Sequence, residues 1–316
     1  MSLDGKPSRA ETRKVSGGSS QGSDECISSA AYNRAPLLLS LEPNGEGEWA
    51  ITSTWCNIGL WEEGDSFRIA CERLACTLAD AAALSQTDIV LDIGVGYGDQ
   101  AALWCERFGV NRVIAVEVNP VAVAEARQRL GPHKNVEVVH ASATALPEPV
   151  RSTGFDVLLS LDCAYHFDSR EAFLERTLPL VKSGGRFAAI DLLPTPVPRA
   201  HLFKRLLQLV VAKLVDIPVA NLHDTALYES HLRRNGCACI RLQALDQHAT
   251  FASLGAHAFK QRRRLRGRLS LSQSVFLRII STLMHSVTRF DLFSLVLVTA
   301  QKGDMPSQRD DEPGYK

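Results

Sequence analysis

The stretch Asp88–Trp104, DIVLDIGVGYGDQAALW, joins a strand-length apolar run to helix-spaced apolar residues through three glycines at alternate positions, Gly94, Gly96 and Gly98. A chain that must turn so sharply from strand to helix is confined to a few architectures, above all a parallel sheet with crossover helices. The next two hundred residues keep the same rhythm. RVIAVEV, VEVVHAS, FDVLLSLDCAYHF and RFAAIDLL read as the second to fifth strands, with helices at QAALWCERFG, NPVAVAEARQRLG and SREAFLERTLPLVKSGG between them. DTALYESHLRRNG, with Leu227 and Leu232 on one side, leads into a sixth strand, ACIRLQALD, and DLFSLVLVTAQ is the seventh. The predicted fold is α/β, a doubly wound Rossmann-like sheet of seven strands with helices on both faces and a helical cap.

Outside this pattern the chain is less regular. Residues 1–30 and 303–316 are rich in Ser, Gly and charge and are expected to be disordered tails. Residues 31–87 form an amino-terminal lid and helix, the latter over SFRIACERLACTLADAAAL with Asp65 or Ser66 as its cap. The catalytic domain spans 88–302, interrupted by insertions at about 194–222 and 247–289. Their helices, HLFKRLLQLVVAKLV and LSQSVFLRIISTLMHSV, have broad apolar faces suited to covering a pocket.

Thirty-five basic residues balance thirty-five acidic ones, so no overall field gathers nucleic acid or an anionic membrane. Eight scattered cysteines read as reduced thiols of a cytoplasmic protein. Cys237 and Cys239 have no second pair at zinc spacing and are expected to be buried; no metal site is predicted.

Only glycine allows both the sharp turn and close approach of the backbone to a ligand. Glu117, nineteen residues after Gly98, stands at the end of the second strand, where a carboxylate accepts the hydroxyls of a ribose. The ligand therefore contains a nucleoside. Asp92, read as a charge at the mouth of the turn, would repel the pyrophosphate of a dinucleotide and attract the sulfonium and ammonium of S-adenosylmethionine. Asp99 also occupies the place of the last glycine of the dinucleotide pattern. A nicotinamide oxidoreductase is disfavoured on both counts.

On these residues the chain resembles the class I S-adenosylmethionine-dependent methyltransferases: VLDIGVGYGDQ is similar to their first motif, AVEVNP to their second-strand acid, ASATALP to the loop near the adenine and LVKSGGRFAAID to the turn into the fifth strand. Within that superfamily NIGLW, GYGDQ, SATALP and DCAYHFDSREAF are similar to small-molecule O-methyltransferases of the erythromycin type, which act on macrolide sugars. The resemblance assigns Asp92, Gly94, Gly96 and Gly98 to the methionine end, Glu117 to the ribose, and Ser142 and Ala143 to the adenine. Many relatives have an acid where this chain has Ser142, and Tyr where it has Leu60; Trp61 is the candidate to cover the cofactor instead.

Ligands of such sheets lie outside the carboxyl ends of the strands, which places Asp162, Tyr165 and His166 near the acceptor. His166 is the candidate general base, since imidazole accepts a proton near neutrality; capping the next helix or packing on Phe167 is its alternative role. Tyr165 orients the acceptor or lines the pocket. Asp162 binds the cofactor, polarises His166 or is a plain strand-end acid. His248 and the Trp49, Trp55, Trp61 series either reach the cleft or belong to the surface and to packing under the lid. An apolar cap implies a lipophilic acceptor, methylated at oxygen, with nitrogen or carbon as alternatives. KQRRRLRGR, residues 260–268, is solvated charge, a contact with an anionic membrane, or a nucleic-acid or nuclear-targeting patch, and residues 260–289 are the candidate peripheral surface. No nucleic acid partner is expected: methylation of base amino groups goes with an Asn/Asp-Pro-Pro-aromatic run where this chain reads Asp162-Cys163-Ala164-Tyr165. A non-catalytic scaffold is disfavoured by the intact glycine turn and its acids.

Overall fold

The computed structural model describes residues 38–43, 48–198 and 201–303; the tails expected at 1–30 and 303–316 lie outside the described residues, Gly303 excepted. The chain begins with a hairpin of β1 (Leu41–Pro43) and β2 (Trp49–Ile51). It continues through α1 (Phe67–Ala81), β3 (Ile89–Ile93), α2 (Asp99–Phe108), β4 (Arg112–Glu117), α3 (Pro120–Leu130) and β5 (Val136–His140). A single turn α4 (Glu148–Arg151) precedes β6 (Phe155–Leu161), α5 (Arg170–Thr177) and β7 (Val181–Pro194). Then come α6 (Leu202–Leu214), α7 (Thr225–Arg234), β8 (Cys237–Ala244), α8 (Ser253–Arg264), α9 (Leu271–Arg289) and β9 (Phe293–Lys302).

The main sheet has seven strands in the order β5-β4-β3-β6-β7-β9-β8. Six strands run in one direction, and β9, between β7 and β8, is antiparallel to both. Chain order and strand order cross between β3 and β6, so the loops after β3 and β6 leave the sheet in opposite directions and open a crevice at their carboxyl ends. The central strands are continuously apolar because both faces are covered. One core, with Val90, Val113, Val157, Ala188 and Leu295, packs under α1, α2 and the cap helices. The other, with Leu91, Ile114, Leu158, Phe187 and Val298, packs under α5 and α7.

Local chemistry sets the element ends. The Ser66 side chain caps α1 by accepting from the Ile69 N–H, and Asn119 and Ser169 cap α3 and α5 in the same way. Phe67, Ala70, Cys71, Leu74 and Leu78 make the buried stripe of α1. Three boundaries differ from the sequence reading. The fourth strand stops at Leu161, because Asp162 takes a left-handed φ of 53° and Ala164–His166 form a 3-10 turn. The helix expected over 169–185 ends at Thr177, where Pro179 has no N–H to continue it, and the segment from Val181 joins β7. On α7 the buried residues are Tyr228, His231 and Leu232, and Leu227 faces solvent. Cys237 is buried as expected, but Cys239 is exposed, at a register shift between β8 and β9.

Candidate functional site

Gly94, Gly96 and Gly98 all have positive φ, 80°, 55° and 89°, so the turn after β3 is closed to other residues without strain. Their surroundings differ. A Cβ on Gly94 would strike the Cys163 Sγ, and one on Gly98 would lie 3.0 Å from the Leu130 side chain. At Gly96 the added carbon would meet only the Cys56 Sγ, 3.8 Å away, because this residue faces the open crevice. That is the cradle a nucleoside-bearing cofactor needs, backbone exposed to the ligand with nothing between.

Glu117 ends β4 beside the turn. One carboxylate oxygen accepts from the Gly96 N–H and the other from the Val118 and Asn119 N–H groups, all at 2.9 Å. Along the next strand end, the Ser142 Oγ lies 3.1 Å from the Thr144 Oγ1 and accepts from the Thr144 N–H, which shapes the loop that contains Ala143.

Asp92 does not stand at the mouth of the turn. Its side chain is 0% exposed, and its two oxygens accept from the Gln100 Nε2 at 2.8 Å and the Trp104 Nε1 at 2.7 Å. A strand alternates its side chains, and at position 92 the side chain points under α2 rather than out along the crevice. Burial raises its pKa to about 6 against the lowering effect of both donors. The negative potential of the crevice comes from other residues. Confinement and the carboxylates Asp99, Glu117, Asp162 and Glu125 all raise the pKa of the Cys56 thiol, which opens into the crevice.

A segment that sequence reasoning treated only as a lid makes much of this wall. The Thr54 Oγ1 donates to Asp99 at the start of α2, at 2.5 Å. Four residues on, the Ile58 N–H donates to the Asp162 Oδ2 at 2.8 Å, so residues 54–58 cross from one side of the glycine turn to the other with Cys56 above Gly96. Asn57 secures the span, donating to the Cys71 carbonyl and accepting from the Gly59 N–H. Asp162 also accepts from the Tyr165 hydroxyl at 3.0 Å, and burial raises its pKa to about 7. Asp99 was visible as a departure from the dinucleotide pattern; its partner, 45 residues earlier, carried no signal.

Tyr165 and His166 lie in the 3-10 turn beyond β6, their rings 4.2 Å apart. The His166 Nδ1 is 3.2 Å from the Asp216 carbonyl oxygen. A carbonyl only accepts, so Nδ1 carries the proton and Nε2 the lone pair. Burial holds the imidazole below its ordinary pKa, against an opposing effect of Asp216. The turn is clamped by Asn221, whose amide donates to the carbonyls of Tyr165 (3.1 Å) and Phe167 (2.5 Å) and whose oxygen accepts from the Arg170 N–H. Arg170 is itself fully buried, paired with Asp191 and bonded to the Asn221 and Leu192 carbonyls. Neither Asn221 nor Arg170 stood out in the sequence.

The remaining candidates are placed elsewhere. Trp61 is buried between Phe67 and His257, with its indole N–H on the Ile58 carbonyl, and packs the lid onto α8 rather than covering the crevice. Trp55 is buried in the same core, Trp49 is part of β2, and His248 is exposed before α8. Among the described residues no group of three His, Cys, Asp or Glu side chains is arranged to hold a metal ion, and no helix is long and apolar enough to cross a membrane.

The glycine turn at a topological switch point, with an acid at the end of the adjoining strand, defines a nucleoside-binding methyltransferase domain, and residues 91–189 match the family described as a methyltransferase domain. The chain is a class I S-adenosylmethionine-dependent methyltransferase. It is 27% identical to the erythromycin 3''-O-methyltransferase of Saccharopolyspora erythraea over 87% of both chains. It is 28% identical to the 27-O-demethylrifamycin SV methyltransferase of Amycolatopsis mediterranei, over 56% of this chain and 64% of the other. Among solved structures, the cyclopropane synthase MmaA2 from Mycobacterium tuberculosis superposes with a TM-score of 0.65 at 15% identity, covering 79% of this chain and 90% of that one.

Proposed function

We infer that the protein methylates a hydroxyl oxygen of a lipophilic small molecule, with His166 as general base. The observation that carries this reading is the tautomer of His166: its Nδ1–H donates to the Asp216 carbonyl, so the basic lone pair of this imidazole, just beyond the carboxyl end of β6, is on Nε2. A hydroxyl acceptor must lose a proton as the new bond to carbon forms, and a neutral imidazole is suited to take it. The O-methyltransferase relatives from Saccharopolyspora and Amycolatopsis support oxygen as the acceptor atom.

S-adenosylmethionine, when bound, supplies a methyl group already activated by the sulfonium. The protein's task is then alignment, dehydration and proton removal. Gly94, Gly96 and Gly98 would hold the methionine end against bare backbone, Glu117 the ribose hydroxyls, and Ser142 and Ala143 the adenine edge. Glu117 and Asp99 contribute negative potential that favours a cation in the crevice, and Asp162, which burial leaves about half protonated near pH 7, ties the lid closed through Ile58. Burial, and after it the carboxylates around Cys56, keep that thiol protonated, so no thiolate competes for the methyl group. Tyr165, its hydroxyl engaged by Asp162, positions the turn and lines the acceptor side. The cap helices α6, α8 and α9 cover that side with apolar surface, and residues 260–289 contribute a peripheral contact with the membrane from which such an acceptor is drawn.

The test is incubation of the protein with methyl-labelled cofactor and a panel of hydroxylated polyketides, terpenoids and lipids, read by mass spectrometry. Labelled methyl ethers are the expected product. Label at nitrogen or carbon only, or wild-type turnover by His166→Ala, would refute the reading.

A further inference from the structure

The chain's charge is balanced overall, yet it is strongly segregated. Residues 192–215 contain four basic residues and no acidic one, and residues 247–290 contain eight and none. These two stretches are the cap. Helix α6 within it is two-sided: Gln208, Val211 and Ala212 face the core, and the Gln208 amide donates to the Thr195 and Leu292 carbonyls at 2.8 Å, which fixes the helix rotation. Every exposed residue of α6 is apolar or basic: Leu202, Phe203, Leu206, Leu209, Val210 and Leu214, with Arg205 and Lys213. Leu202 is 72% exposed, Phe203 67% and Leu214 63%. Phe203 continues the face onto Phe290 at the end of α9, ring to ring at 6.4 Å, and α9 adds exposed Val275, Ile279 and Arg278. A monomeric protein rarely leaves so much apolar surface in one row without a partner.

We propose that this face, α6 with the adjoining α8–α9 edge, docks on an anionic lipid surface. An in-plane amphipathic helix buries Leu and Phe at the headgroup boundary while flanking cations bind acidic headgroups, and the exposed composition of α6 matches both requirements. A second copy of the chain fits poorly, since it would bring two strongly basic caps face to face, with acids only at their margins in Asp216 and in Asp291, the latter paired with Lys204. A nucleic acid would leave the aliphatic row unused. The docking also places the site. Asp216, directly after α6, is the residue whose carbonyl holds His166, so a helix lying in the membrane interface would bring the acceptor side of the crevice to the lipid. This deepens the proposed function, from which it takes the lipophilic acceptor and the membrane contact of residues 260–289.

The experiment is flotation of the full chain with vesicles of phosphatidylcholine alone and of phosphatidylcholine mixed with phosphatidylglycerol, at low and high salt. Binding to the anionic vesicles should be about tenfold tighter or more than to the neutral ones, and high salt should remove the difference. The double substitution Phe203→Ser, Leu206→Ser should weaken it about tenfold, and Arg263→Glu with Arg266→Glu by a similar factor, both with wild-type cofactor affinity by calorimetry as the control for folding. No preference for anionic vesicles, a dimer in solution abolished by the Phe203 and Leu206 changes, or binding of an oligonucleotide in place of vesicles would each overturn the proposal. Vesicle binding needs no turnover, so docking without methylation of any lipophilic hydroxyl supports the surface and refutes only the acceptor reading. Methylation of a soluble acceptor without docking does the reverse.

Discussion

A single hydrogen bond sets the tautomer of His166, because the Asp216 carbonyl accepts from Nδ1–H and so puts the basic lone pair on Nε2. Burial lowers the imidazole pKa, so the group is neutral throughout the physiological range and becomes cationic only at a pH below its ordinary 6.5. The rate should therefore be flat above neutrality and fall as pH drops through a value under 6.5, and His166→Ala should remove that inflection and cost about 10²- to 10⁴-fold in kcat with cofactor affinity unchanged. A pH profile of His166→Ala that keeps the wild-type limb would assign the proton to another group. Asp92 poses the opposite case, a residue named from the sequence for ligand contact and found beneath the ligand site. Strand alternation could have warned of it, since Asp92 and the buried Val90 share a parity, but neither Gln100 nor Trp104 announces itself as a donor aimed back at the strand. Asp92→Ala strands both donors in a dry site, at about 1–3 kcal/mol each. Urea unfolding should show a loss of a few kcal/mol, with Asp92→Asn much milder; lost cofactor affinity at unchanged stability would return Asp92 to the crevice.

At the scale of elements, the strands from 88 to 161 were legible because each is a short apolar run, with both faces buried in β3, β4 and β6 and only half-buried in the edge strand β5. The turn beyond β6 was not, because Asp162 leaves the strand by adopting a positive φ that sequence patterns do not forecast for an acid. That departure has a structural use. It aims the carboxylate back at Ile58 and joins the lid, 104 residues away in sequence, to the end of the strand. In Asp162→Asn the amide oxygen can accept from Ile58 and the amide nitrogen donate to the Tyr165 oxygen, so the clip survives. Asp162→Ala leaves the Ile58 N–H without its partner and should raise amide exchange across residues 54–61, weakening cofactor binding by roughly 5- to 100-fold on the usual cost of a lost buried hydrogen bond. Equal exchange in the two variants would show that packing of Trp55 and Trp61 holds the lid unaided.

For the whole molecule, the sequence conveyed the number of strands and the parallel half of the sheet, since crossover helices require it. It did not convey that β9 inserts antiparallel between β7 and β8, a matter of long-range pairing. The crevice was legible in its local parts, the glycine turn and Glu117, and illegible where it is assembled from distant ones: Thr54 with Asp99, Ile58 with Asp162, Asn221 with the 165–167 turn. That assembly has a thermodynamic consequence. A ligand touching the turn after β3, the end of β4 and the lid binds only when all three are folded together, so its binding free energy adds to the stability of the entire chain. With S-adenosylmethionine at about 100 times its Kd the gain is about 2.7 kcal/mol, which for a domain of this size raises Tm by roughly 5 °C. A nicotinamide dinucleotide should raise Tm much less, because its pyrophosphate would sit near Glu117, Asp162 and Asp99, and Arg129, 3.3 Å from the Asp99 carboxylate, offsets that one acid in part. Glu117→Gln should reduce the S-adenosylmethionine shift and also lower the ligand-free Tm somewhat, since the amide oxygen can accept on one side only and the amide nitrogen cannot accept from the N–H groups on the other; a dinucleotide shift as large as that from S-adenosylmethionine would mean that the crevice does not select for positive charge.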